Sequence, residues 1–389
     1  MSKTILYSLA FVALGLISGS IGPTLPALAA QTHVEMKQIS NLFVARSLGT
    51  MLGSWMIGRA YDRVTGHPLL AASLLAAAIA MAAIPVTNLL WLLLAISAFV
   101  GLASASINVG GNALIVMVHG ERVRPFMSAM HFAFGLGGFL APMLVALFQH
   151  RDDGIQLAYW MLALLMTPSV LLTMLSRSPA PRISHHEERA SAIPTLLLGL
   201  LIFYFFLEVG AEASVMGWLF SYAVGQGVSA QTAYKINSAF WAAFTAGRLV
   251  TIALSMRFNA LMMVQSCICL TMLFALALLI LPASPALLWA CAIGLGVAVG
   301  PVFPSTFGYA QNKLHLSGRI TGWFLVGSSA GGMFWPRLIG QFFDSHGAQV
   351  MPWIVLLDLV GALTIILCLS RFSSDTNVAP LSVIHQTGD

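Results

Sequence analysis

Gly137-Gly138-Phe139-Leu140-Ala141-Pro142 recurs as Gly331-Gly332-Met333-Phe334-Trp335-Pro336, at an offset of 194 residues in a chain of 389. Working outward, Gly101-Leu102 recurs as Gly294-Leu295 at an offset of 193, and Phe43 matches Phe240 at an offset of 197. Near-constant offsets at three separated places indicate an internal duplication, so each half is read as one copy of a single unit.

The duplicated unit is built for lipid. Hydrophobic residues make up 58% of the chain and charged residues only 8%, with a mean hydropathy of +0.88, whereas soluble domains are about a quarter charged. Apolar runs long enough to cross a bilayer, roughly 20 residues each, fall near 5–29, 38–58, 68–86, 88–118, 125–149 and 155–176, then near 194–224, 231–256, 259–281, 284–311, 318–342 and 350–370. The predicted fold is an all-α membrane protein with twelve transmembrane helices in two six-helix bundles, 1–176 and 194–371, joined by a linker at 177–193 and followed by a tail at 372–389. That linker, with Pro179, Pro181, His185, His186, Glu187 and Glu188, is the one long polar interruption and is read as a solvated hinge.

Lys and Arg in alternate connections set the orientation. Twelve fall on the side of the termini, three (Lys37, Arg151, Lys235) on the other, and three (Arg46, Arg248, Arg337) within spans. Both termini and the linker are therefore expected in the cytoplasm, with the bacterial inner membrane as location. Lys3, the apolar run from Ile5 and Ala27-Leu28-Ala29 imitate a cleavable signal. Removing that segment would leave an odd number of spans and spoil the repeat, so it is read as the first helix.

Several function classes are set aside. The four cysteines, Cys267, Cys269, Cys291 and Cys368, lie in apolar stretches without disulfide or metal spacing. Basic residues are scattered singly, so the net charge of +5 does not indicate nucleic acid. No phosphate-cradling Gly-Lys-Ser/Thr loop is present, which argues against ATP-driven transport. No nucleophile and base, metal cluster or cofactor motif is spaced for chemistry, and an enzyme is not expected; a monomer is.

Charges inside the membrane cost at least about 2.5 kcal/mol each near the bilayer centre, which makes them the best pointers to function. Glu208 and Glu212, spaced i,i+4, stack on one helix face. Two carboxylates so placed in low dielectric resist ionising together, so the pair is suited to cation coupling; pairing with Arg248 or Arg46 is the structural alternative. Asp358 and Arg337 lie at similar depth and are expected to form a structural ion pair. Asn108 and Asn112 form another i,i+4 pair whose amides suit hydroxyl groups. His131 is a candidate hydrogen-bond partner or titrating group, and Trp241 and Trp323 are candidate stacking surfaces for a sugar ring.

After the second span comes Gly58-Arg59-Ala60-Tyr61-Asp62-Arg63-Val64-Thr65-Gly66-His67, which resembles the signature loop of the Major Facilitator Superfamily. Resemblance implies a gating role for Asp62 and Arg63, latching the cytoplasmic ends of the helices. Gly22-Pro23-Thr24, Asn112, Met130-His131-Phe132, Gly135, Pro142, Val209-Gly210-Ala211-Glu212, Trp218, Gly247-Arg248, Phe303-Pro304-Ser305, Gly318-Arg319 and Gly322-Trp323 together resemble the fucose-permease and sodium-dependent glucose transporter branch, across nearly the whole chain. That resemblance implies a sugar substrate carried with a cation. One departure stands out: where those relatives carry an acid in the fourth helix, this chain has Ser106 or Asn108, which weighs against a cation site there.

The favoured expectation is a secondary active transporter of a small polar solute, most plausibly a hexose, by alternating access with sodium or a proton. Export of an amphipathic compound by proton exchange is the second reading, against which the paired amides argue. A non-transporting membrane sensor or assembly protein is the third, since a fold alone does not specify function.

Overall fold

The structure is a computed structural model that describes residues 3–61, 65–179, 195–282, 284–314 and 318–372. In hydrocarbon the backbone must satisfy its own polar groups, which favours long uninterrupted helices. They run α1 (Lys3–Gln31), α2 (Asn41–Tyr61), α3 (Gly66–Ala83), α4 (Leu90–His119), α5 (Val123–Phe148), α6 (Gly154–Leu175), α7 (Thr195–Gly225), α8 (Ala230–Leu254), α9 (Ala260–Ile280), α10 (Pro285–Val299, continuing as Val302–Lys313), α11 (Gly318–His346) and α12 (Val350–Phe372). A four-residue turn of helix, Met36–Ile39, precedes α2; it is closed by a capping box in which the Glu35 N–H donates to the Gln38 side chain at 3.0 Å.

Successive helices cross back and forth. Thr4 at the start of α1 hydrogen-bonds His119 at the end of α4 at 2.8 Å, while Gln31 at the far end of α1 donates to the Thr87 carbonyl at 2.8 Å. The interruption in α10 follows from its prolines. Pro301 and Pro304 have no N–H, so the carbonyls of Val297 and Gly300 lose their i+4 donors and the helix breaks between them.

The duplication is visible in the packing. α1 packs on α5 and α7 on α11; α2 packs on α4 and α8 on α10. Gly137 lies against the backbone of α1 at Val12 and Gly15, and its repeat partner Gly331 lies against the backbone of α7 at Phe206 and Gly210. At both places a Cβ would collide with main chain, which is why small residues recur there. Two of the sequence equivalences are corrected. Gly101 sits over the Arg46 carbonyl and Gly296, not Gly294, sits over the Phe240 carbonyl, whereas Gly294 faces the Phe274 ring. Arg46 therefore corresponds to Phe240, and Phe43 does not.

Nine of the long helices are apolar enough, by length and composition, to cross a membrane, counted over the described residues. α2, α8 and α11 fall short because they carry more polar side chains, and they are the helices that join the halves: α2 packs on α11 and α8 on α5. At the end away from the termini this seam is closed. The Lys37 N–H donates to the Asp344 carboxylate at 2.9 Å, Arg337 Nε donates to Asn41 Oδ1 at 2.8 Å, and Gln341 Nε2 donates to the Lys37 carbonyl at 3.4 Å. Below them Trp218 is wedged between Phe43 and Phe343 and donates to the Pro336 carbonyl at 2.9 Å.

Gly340 on α11 meets Ser40 so closely that any Cβ would overlap the serine side chain. Gly340→Leu should hold this end apart. With a single cysteine placed at the buried position 40, labelling by a membrane-impermeant maleimide should speed up several-fold in the Gly340→Leu background; an unchanged rate would show that the seam is not the moving part.

Candidate functional site

Arg248 is the centre of the seam at mid-depth. Its Nε donates to the freed Gly300 carbonyl at 3.1 Å, the bond that the proline at 304 leaves open. The guanidinium carbon lies 4.2 Å from the centroid of Phe244 on its own helix and 5.9 Å from that of Phe134 on α5, in the other half. Both distances lie within cation–π range. Its Nη2 lies 3.9 Å from Glu212 Oε1 on α7, and both side chains are mostly shielded, at 21% and 16% exposed. One arginine thus ties α7, α8, α10 and α5 together.

Glu208, one turn from Glu212, is 5% exposed, and neither of its carboxylate oxygens has a hydrogen-bond partner among the described residues. The i,i+4 spacing places both acids beside a small cavity in the second bundle, with Tyr204 and Thr271 on its wall. The structural alternative therefore applies to Glu212 alone, which takes Arg248.

Across the seam, the His131 ring packs edge-on against Phe11 of α1 at a centroid distance of 5.4 Å. Phe11 also fills the space over Gly111 of α4, one residue before Asn112. Asn112 Nδ2 donates to Asn108 Oδ1 at 2.8 Å and to the Asn108 carbonyl at 2.9 Å, and Asn108 is exposed. The amide pair is therefore half-satisfied internally and keeps acceptor and donor groups free for a polar solute. Phe134, which the Arg248 guanidinium overlies, is three residues from His131 on α5, so Arg248 reaches the helix that carries the first-half histidine.

The family model for the Major Facilitator Superfamily matches residues 7–336 of the chain. The chain belongs to the Major Facilitator Superfamily. The chain is 29% identical to sodium-dependent glucose transporter 1A of Mus musculus over 374 residues, which cover 85% of this chain and 87% of the mouse protein. It is 27% identical to sodium-dependent glucose transporter 1 of Homo sapiens, covering 85% of this chain and 71% of the human protein. Among solved structures it resembles the nucleoside transporter NupG, with a TM-score of 0.75 at 14% identity over 95% of this chain and 99% of that one. A bacterial homologue of the human lysosomal transporter Spinster, in an inward-facing and occupied conformation, gives a TM-score of 0.76 at 13% identity over 97% of each chain. These last two likenesses concern the fold.

Other candidates of this Major Facilitator protein are placed differently from expectation. Arg337 and Asp358 do not pair: Arg337 is exposed and bonds Asn41, while Asp358 is fully buried without a partner among the described residues. They share a depth but point from α11 and α12 in different directions, Arg337 toward the first half and Asp358 into the second bundle. Trp241 is 1% exposed, with Gly138 pressed against its indole and Phe134, Phe240 and Phe244 around it. Its face is covered by packing and is not free for a sugar ring. Trp323, 47% exposed near the start of α11, is not gathered with the others. Asp62 and Arg63 lie outside the described residues, but their flank is anchored: His67 Nδ1 donates to the Ser176 carbonyl at 2.9 Å, leaving Nε2 to accept from the Tyr7 hydroxyl at 2.9 Å.

What the sequence reading undervalued is Arg248. The signal was present in the cost of a guanidinium inside a span, and in Pro304, whose missing N–H frees a carbonyl for it. Removing one partner of a shielded pair leaves the other charge uncompensated. Arg248→Gln should lower the unfolding temperature of the detergent-solubilised protein more than Glu212→Gln does. The double variant should recover part of the loss, with a coupling of about 0.5–3 kcal/mol; simple additivity would show that the two side chains do not interact.

Proposed function

We propose that this Major Facilitator transporter carries a small polar solute, with a hexose the favoured substrate, by alternating access coupled to sodium or protons. The observation that carries the reading is the seam where Arg248, paired with Glu212 in one half, reaches Phe134 of α5 in the other half, one turn from His131; the Asn108–Asn112 amides of α4 are read as lining the same path. Amides and imidazole suit hydroxyls, and a membrane-embedded acid suits a cation. The names of the relatives described above support a sugar and a sodium ion. Glu208 and Glu212 are the coupling acids in this reading. Trp241 and Trp323 are left out of the substrate contacts.

With both termini in the cytoplasm, as the distribution of Lys and Arg favours, the closed seam is the outer one and the conformation is inward-open. The bacterial inner membrane, a monomeric state and a solvated hinge at 177–193 belong to the same reading.

Uptake of radiolabelled hexose into proteoliposomes, with and without a sodium or proton gradient, tests it. Accumulation should exceed equilibrium only with the gradient of the coupled ion, and absence of any saturable uptake would reject the substrate class. Glu212→Gln should abolish accumulation yet spare exchange of labelled for unlabelled substrate, because the amide keeps hydrogen bonding but not charge. Gradient-dependent concentration by that variant would move the coupling role elsewhere.

The gating role proposed for Asp62 and Arg63 has its own test. Asp62→Asn should slow turnover while leaving the elution profile and unfolding temperature of the purified protein unchanged, and wild-type turnover would remove the role.

A further inference from the structure

In the shielded interior of the second bundle, among the described residues, three acids stand against one base: Glu208, Glu212 and Asp358 against Arg248. Glu212 takes the base. α7 and α12 pack together, and Leu359, next to Asp358, lines the same cavity as Glu208; Glu208 and Asp358 are 5% and 0% exposed and have four carboxylate oxygens without a hydrogen-bond partner among the described residues.

Their surroundings come from four helices. Tyr204, one turn before Glu208 on α7, and Thr306 in the second part of α10 bring their hydroxyls toward one another without closing a hydrogen bond, and both are fully buried. Thr271 on α9 turns its hydroxyl back to the Cys267 carbonyl at 2.8 Å. Cys267 on α9, Glu212 on α7 and Arg248 on α8 are the other titratable or charged groups facing the set. Between Glu208, Tyr204, Thr271 and the Leu359 turn of α12 lies a cavity of about 20 Å³, room for one water.

An ionised carboxylate can only accept hydrogen bonds, and among the described residues no donor bonds either acid while the one base nearby, Arg248, is taken by Glu212. A protonated acid supplies its own donor, for which the Tyr204 oxygen or a single water in the cavity beside Glu208 is an acceptor. We propose that Glu208 and Asp358 form a proton-holding site inside the second bundle, each carrying one proton while Glu212 remains ionised against Arg248. In transport, a proton leaving a Glu208 oxygen would arrive on a Glu212 oxygen by way of the one-water cavity. The negative charge then moves one turn along α7 and Arg248 loses its counter-charge, with the total charge of the set unchanged. The role in coupling rests on the reading above. The site itself does not, and it is measured without substrate.

Infrared difference spectroscopy of the purified full chain in choline buffer near neutral pH, exchanged from H₂O to D₂O, reads protonated carboxylic acids directly. The wild type should show carboxylic C=O bands that shift with deuterium. Glu208→Gln should remove one and Asp358→Asn another, in variants that elute and unfold as the wild type does, while Glu212→Gln should remove neither. Absence of such bands from the wild type would overturn the proposal without recourse to any variant, as would bands untouched by both substitutions. Disappearance of the bands when sodium replaces choline would assign the oxygens to the metal cation and overturn the proton assignment.

Discussion

An unbalanced charge in a medium that cannot solvate it is the constraint on which this structure turns. Burial of an isolated ion costs several kcal/mol even after relaxation, so each one present has to be held by something specific. Arg248 meets the requirement from four directions: a carboxylate, two aromatic faces and a carbonyl that a proline has freed. Because those groups come from both halves, holding the charge also joins the halves at mid-depth. Three helices along that junction, α2, α8 and α11, fall short of the apolarity of plain membrane spans, and they pack across the seam, α2 on α11 and α8 on α5.

Around that centre the packing is carried by small residues. Gly137 of α5 against α1 and Gly331 of α11 against α7 make the same backbone-to-backbone contact in the two bundles, as do Gly101 of α4 against α2 and Gly296 of α10 against α8. Contacts of this kind make each bundle rigid. The seam at the far end consists instead of a few hydrogen bonds between largely exposed groups, one close glycine, Gly340, and the Phe43–Trp218–Phe343 stack below them. Such bonds contribute about a kcal/mol each, so the seam is where two rigid bodies part at least cost.

The fold was legible because hydropathy and repetition are properties of the chain itself. Twelve runs of apolar residues and a six-residue motif repeated at a fixed offset already specify two bundles. Register was less legible: the tenth span holds several glycines within two turns, and only the carbonyl each one faces distinguishes Gly296 from Gly294. Pairing was legible where spacing determines direction, as for Glu208 with Glu212 and Asn108 with Asn112. It failed for Arg337 and Asp358 because position along a helix gives depth but not azimuth when the partner lies on another helix. Trp241 misled for a related reason, since flanking small residues mark close packing as readily as an open face.

The two copies of the unit have kept their packing while their chemistry has diverged. In the first half, Arg46 donates to the Ile17 carbonyl at 3.2 Å and to the Ser18 hydroxyl at 3.4 Å, with no acid paired to it among the described residues. Where resemblance to sugar transporters calls for an acid in the fourth helix, the Ser106 hydroxyl is buried and bonded to Ser73 at 2.6 Å, a self-satisfied pair that offers a cation nothing. The equivalent of Arg46 in the second half is Phe240, and there the interior carries surplus acids in place of a surplus base. A neutral hydroxyl pair does not take up or release a proton near neutral pH, and it offers a cation no counter-charge. The buried acids among the described residues lie instead in the second bundle, two of them on the α7 face that holds Glu208 and Glu212.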